Sequence, residues 1–135
     1  MTTGYLLDTH VFVDLSKGRN LSAGLRQVID DPQARLFFSV VSVVEICIKA
    51  NLGKLALPRA IAANPAAGFA AAADEAGFVM LPVELEHAAG VHGLPLHHRD
   101  PFDRLLIAQA MAENLILVSD DRVFPLYSGL ALLRA

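Results

Sequence analysis

The chain has 135 residues, a formal net charge of -3 and 54% hydrophobic residues. This length suits one domain around a single core, and a pI near 5.9 excludes a surface that is basic throughout. No run reaches the roughly 20 apolar residues of a membrane span, no basic stretch precedes an apolar core at the N-terminus, and the single cysteine, Cys47, excludes an internal disulfide, so a cytoplasmic location without membrane association is expected.

Residues 5–7 read as a short strand, and residues 9–17 as a helix stopped by Gly18. Residues 21–30 form a second predicted helix, ending near Pro32, and residues 35–41 an apolar, β-rich strand. A helix over residues 42–52 follows, with Gly53 at its C-terminal stop. Residues 58–76 read as helical in two pieces, because Asn64-Pro65 pairs an N-cap with a first-turn proline, and Gly77 closes the second piece. A strand over 78–83 and a short helix over 84–90 come next. Residues 101–114 form a helix with Asp100 as cap and Pro101 at its first position, and residues 115–119 and 130–133 supply the last strands. No repeat or linker interrupts this order, so residues 1–135 are expected to form a single domain. Strands alternating with helices predict a three-layer α/β/α sandwich around a central, mostly parallel sheet.

Four acids occupy unusual places in this scheme. Asp8 ends the first strand, Asp121 closely follows the strand over 115–119, and Glu45 and Asp103 fall in first turns of predicted helices. In right-handed βαβ units each helix begins at the edge where strands end, which is the edge where open α/β sheets bind ligands. Asp103 also heads the stripe Leu106, Ile107 and Ala110, so it is directed at the sheet. Four carboxylates so gathered repel one another unless a cation neutralises them. The pattern therefore points to a divalent-metal site and phosphoryl-transfer chemistry. Each acid also has a local reading: Ser42-x-x-Glu45 fits a capping box, Asp100 and Asp103 suit a helix start, Asp8 competes with Thr9 as a cap, and Asp120 and Asp121 suit a turn. Lys49, Lys54, Arg59, Arg99, Arg104 and Arg122 are candidates for a phosphate-binding rim. His97 and His98 read as solvated loop residues, His10 fits a helix surface as well as a phosphate contact, and Cys47 reads as a small core residue.

The chain resembles the PIN-domain ribonucleases, and more closely the VapC-type toxins of bacterial toxin–antitoxin pairs. The resemblance rests on Leu6-Leu7-Asp8-Thr9-His10, on Ser39-x-x-Ser42-x-x-Glu45-Ile46, on the run from His98 through Asp100-Pro101-Phe102-Asp103 to Ala110, and on Val118-Ser119-Asp120-Asp121. These segments span nearly the whole length in order. The resemblance implies a PIN-like fold and metal-dependent cleavage of single-stranded RNA with Mg²⁺ or Mn²⁺. It places Asp8, Glu45 and Asp103 at three core acidic positions and Asp121, rather than Asp120, at the fourth. Asp8 and Asp103 would contact metal directly, while Glu45 and Asp121 would complete the shell or orient the water. Ser119 takes a hydroxyl position of the same motif, and Asp100, Asp120 and Thr9 are supporting candidates. The resemblance also implies a cognate antitoxin that wraps the toxin, and a homodimer; a mean hydropathy of +0.45 fits such interfaces.

Three alternatives share the size and the acids. A receiver-like domain needs a phosphoacceptor aspartate after a central strand, whereas the middle predicted strands end at Val41 and Val83. A haloacid-dehalogenase-like phosphatase needs D-x-D-x-T, whereas Asp8 is followed by Thr9 and His10. A catalytically silent PIN-fold binding module would have no need of the complete acidic set.

Overall fold

The computed structural model describes residues 3–18 and 21–135. Its elements run β1 (Gly4–Leu7), α1 (Thr9–Ser16), α2 (Ala23–Asp30), β2 (Arg35–Ser39), α3 (Val40–Asn51), α4 (Arg59–Ala62), α5 (Pro65–Glu75), β3 (Phe78–Leu81), α6 (Leu85–Gly90), α7 (Pro101–Ala112), β4 (Ile116–Val118) and β5 (Leu132–Leu133). Short 3₁₀ turns lie at Val91–Gly93 and Phe124–Leu126. The sheet has five strands in the order β3-β2-β1-β4-β5, and every pairing is parallel.

Alternation along the strands splits the core into two layers, as a period of two requires. Leu6, Phe37 and Leu117 face one side, where Leu106, Ile107 and Ala110 of α7 pack with Phe124 and Tyr127. Leu7, Leu36, Phe38 and Val118 face the other, against Val11 of α1, Leu25 and Val28 of α2, Ile46 of α3, and Phe69 and Ala73 of α5. Helices thus cover both faces, which parallel strands need because neither face can stay wet. Phe38, 1% exposed, stacks on Phe12 with ring centroids 3.9 Å apart. Burial of such a ring stabilises the fold by roughly 1.5–3 kcal/mol. Among the described residues no helix is long and apolar enough to cross a membrane.

The strand order has β1 at the centre, with β2 and β3 to one side and β4 and β5 to the other. A flavodoxin-like receiver sheet follows 2-1-3-4-5 instead, so the receiver alternative does not fit this topology. The direction of travel reverses between β1 and β4. At such a switch point the two loops leaving the strand ends diverge and open a crevice.

Of the expected boundaries that move, one has consequences for the site. β2 stops at Ser39 rather than Val41, and α3 begins at Val40 rather than Ser42. The Ser39 hydroxyl is the cap, accepting from the Val41 N–H at 3.0 Å. Ser42 is instead buried and bonded to the Thr9 hydroxyl at 2.7 Å. The capping box expected of Ser42 and Glu45 is therefore not made. Glu45 lies in the second turn of α3, with its carboxylate free of any capping duty.

Candidate active site

The loops at the C-terminal edge of the sheet surround a cavity of about 360 Å³. Asp8, His10, Glu45, Lys49, Asp100, Asp103, Asp120 and Asp121 line it. Each main acid arrives on a different element. Asp8 is the residue between β1 and α1; its N–H extends the parallel ladder to the Val118 carbonyl at 3.0 Å. It occupies the N-cap position of α1, yet its side chain makes no capping bond. It turns instead towards Ser119, whose hydroxyl donates to Asp8 Oδ2 at 2.9 Å and accepts from the Asp121 N–H at 3.0 Å. Ser119 thereby couples the β1 end to the β4 end across the switch point.

Asp103 stands in the first turn of α7, directed inward by the stripe of Leu106, Ile107 and Ala110, all at most 1% exposed. Asp100 caps the same helix, accepting from the Phe102 N–H at 2.9 Å. Glu45 reaches in from α3: Oε2 pairs with Lys49 Nζ at 3.1 Å, while Oε1 is buried with no hydrogen-bond partner. Asp121 is fixed by the Val123 N–H, which donates to Oδ1 at 2.8 Å. Its Oδ2 lies 3.2 Å from His98 Nε2.

The electrostatics follow from this crowding. Burial is the main cause of a raised pKa at Asp8; the Ser119 hydrogen bond pulls it down and the Glu45 charge pushes it up. Asp103 is pushed up to about 7, first by burial and then by the charges of Asp100, Asp8, Glu45 and Asp121. Both groups therefore release their protons at higher pH than isolated carboxyls do.

The PIN domain family model matches residues 5–130. The chain belongs to the PIN domain family. Its fold is similar to crystal structures of VapBC2 from Rickettsia felis bound to a promoter DNA fragment (TM-score 0.72, 15% identity, 98% of this chain and 99% of that one). It is also similar to DNA-bound VapBC from Salmonella typhimurium (TM-score 0.66, 18% identity, 99% and 98%). VapBC-5 from Mycobacterium tuberculosis, a member of the VapBC family of toxin–antitoxin systems, is another such neighbour (TM-score 0.61, 22% identity, 98% and 99%). No curated protein sequence matches the chain.

In this PIN domain the four acids singled out by sequence lie together, with Asp100 and Asp120 beside them. Asp120 points towards Arg134, 3.9 Å away, and is the more exposed of the adjacent pair. Thr9 is buried against Ser42 and braces the start of α1 against α3. Arg104, expected on a phosphate rim, is instead buried: its guanidinium donates to the carbonyls of Pro95, Val91 and Leu94 at 2.8, 3.1 and 3.2 Å. A fork of five donors suits a loop with unpaired carbonyls, and the loop so held carries His97 and His98. Cys47 is half-buried rather than deep in the core.

His98 is the residue sequence reasoning missed. It was expected in solvent; its side chain is 8% exposed and lies beside Asp103 and Asp121. No periodicity marks a loop histidine. The available signal was its place at the head of the run that ends in the α7 motif.

A dication fits this donor set. Hard carboxylate oxygens suit Mg²⁺ or Mn²⁺, and the buried Glu45 Oε1 has no other partner within the fold. Asp8, Glu45, Asp103 and Asp121 line the cavity together and could hold it.

Proposed function

We propose that this PIN domain, residues 1–135 acting as one unit, is a VapC-type toxin: a metal-dependent endoribonuclease that cleaves single-stranded RNA. One observation carries the reading. Four carboxylates from four separate segments converge on one cavity, and Glu45 Oε1 is buried there without a partner. Such a cluster is costly as it stands and is relieved by a dication.

Asp8 and Asp103 would hold Mg²⁺ or Mn²⁺ directly, with Glu45 and Asp121 completing the shell or orienting water. A bound dication supplies charge neutralisation for the attacking water and for the leaving oxygen of the phosphodiester. Ser119 keeps Asp8 and Asp121 in register through its two hydrogen bonds. Lys49 at the cavity and Arg122 in the adjoining groove would draw RNA phosphates towards the acids. Two of the similar solved structures are a member of the VapBC family of toxin–antitoxin systems and a toxin–antitoxin complex from Klebsiella pneumoniae, which supports a cognate antitoxin as partner. The exposed Val44 and Ile48 on α3, with Leu52 at its C-cap, suit burial against that antitoxin or in a homodimer.

Purified protein with Mg²⁺ or Mn²⁺ should cleave single-stranded RNA and lose the activity in chelator. Asp8→Asn and Asp103→Asn should each lower the rate at least about 100-fold, or ~2.7 kcal/mol of transition-state stabilisation, with circular dichroism unchanged. Metal-dependent cleavage that persists in both variants would reject the site.

A further inference from the structure

His98 is held as a ligand is held. Its ring stacks on Tyr127 with 15° between planes and meets Phe124 edge-on at 4.9 Å. Its backbone N–H donates to the Tyr127 hydroxyl at 3.1 Å, and Nδ1 lies 3.0 Å from the same oxygen. These contacts fix the ring with Nε2 facing the acids, 3.2 Å from Asp121 Oδ2 and 3.9 Å from Asp103 Oδ2. One donor atom from each of His98, Asp103 and Asp121 lies within 4.8 Å of the others. Asp103 and Asp121 border the cavity that Glu45 also lines, and Glu45 Oε1 is buried without a partner.

A metal-ligating histidine needs its second ring nitrogen engaged, which sets tautomer and orientation. Tyr127 meets that need for either tautomer. Its O–H can donate to Nδ1, leaving Nε2–H to donate to Asp121. Alternatively its oxygen can accept Nδ1–H on the lone pair that the backbone N–H does not use, which frees the Nε2 lone pair towards the cavity. In either tautomer the Tyr127 oxygen keeps both contacts to His98, and in the second its O–H turns away from Nδ1.

We propose that His98 is a metal ligand, Nε2 joining Asp103 and Asp121, and that this nitrogen makes the centre prefer a transition-metal ion such as Mn²⁺ over Mg²⁺. The inference rests on the metal-nuclease reading above and goes beyond its all-carboxylate shell. Both ions suit carboxylate oxygens, but Mg²⁺ dehydrates reluctantly and keeps its waters, whereas Mn²⁺, a first-row transition ion, exchanges a water for an imidazole nitrogen more readily.

The test uses the purified chain with Mn²⁺ and reads electron spin-echo envelope modulation of the bound ion. Nitrogen modulation from a coordinated imidazole is expected in the wild type. It should change to the heavy-isotope pattern when histidine carries the heavy nitrogen isotope, a comparison that needs no substitution. It should vanish in His98→Asn. The Mn²⁺ dissociation constant should rise about tenfold or more in His98→Asn and about tenfold in Tyr127→Phe, the usual effect of losing an outer-shell partner; Mg²⁺ affinity should change less. Bound Mn²⁺ without nitrogen modulation would leave His98 as a hydrogen-bond donor to Asp121 and overturn the proposal while the nuclease reading stands. Modulation that survives in His98→Asn and disappears in His10→Asn would overturn it as well. Mn²⁺ binding that ignores Asp103→Asn would remove the metal site itself, and both readings with it.

Discussion

Asp103 bears the heaviest electrostatic load in the cavity. Four other acids, Asp100, Asp8, Glu45 and Asp121, each push its pKa upward, on top of burial. That load is a cost the fold carries for its site, and removing it should stabilise the metal-free protein. Asp103→Asn keeps the shape and deletes the charge. Solvent at the cavity mouth screens part of the repulsion, so a gain of about 1 kcal/mol is expected at pH 8, where the wild-type carboxyl is mostly ionised. In a domain of this size that gain raises the melting temperature by about 3–6 °C, measured in chelator by circular dichroism. A variant less stable than wild type would show that the acids do not repel appreciably. The inward aim of Asp103 was legible, because helical spacing to Leu106, Ile107 and Ala110 gives a side chain a direction. The position of His98 was not: a loop has no period, and what buries His98 is Tyr127, far away in sequence.

The junction of β2 with α3 is the element on which Glu45 depends. The β-branched run Val40-Val41 continues a strand pattern, and Ser42-Glu45 imitates a helix start, so local signals placed the boundary late. A tertiary bond overrides them. Ser39 is fully buried and donates its hydroxyl to Gln109 Oε1, while accepting from the Val41 N–H. Gln109 in turn donates to the Pro82 carbonyl at 3.1 Å, which ties α7 to the segment after β3. Local chemistry sufficed at the junction of α4 and α5, where Asn64 caps by accepting from the Ala67 N–H and Pro65 needs no donor. Ser39→Ala should be costly in proportion to its two roles. The lost cap is worth about 1 kcal/mol, and an unpaired, buried Gln109 oxygen about 1–3 kcal/mol. A combined loss of about 2–4 kcal/mol is expected from urea unfolding. A loss below about 0.5 kcal/mol would mean that the junction is set elsewhere.

Across the whole molecule, alternation of strands and helices was enough to place all four acids on one edge, since every crossover returns the chain to it. Strand order was not legible, because apolar runs in a doubly covered sheet look alike, and the switch point between β1 and β4 emerged only from the pairing. The fold spends part of its stability holding that edge, and the effect depends on pH. Asp103 has a folded pKa of about 7 against an ordinary 3.8, and Asp8 is shifted the same way. A raised carboxyl binds its proton more tightly folded than unfolded. Its contribution is therefore complete below the unfolded value and disappears as pH rises through the folded one. Metal-free protein should lose stability between about pH 4 and pH 7, then level off, and Asp103→Asn should flatten that slope. A dication bound as proposed would engage the ionised acids of the folded chain alone, so its benefit should run the opposite way. At a free concentration 100 times its dissociation constant it adds about 2.7 kcal/mol, and competition with protons makes the same concentration less effective at pH 5 than at pH 8. Melting curves with Mg²⁺, with Mn²⁺ and with chelator at these two pH values measure both effects. A metal-free melting temperature that rises across the window, or metal increments that are equal at both pH values, would separate the acids from the stability of the fold.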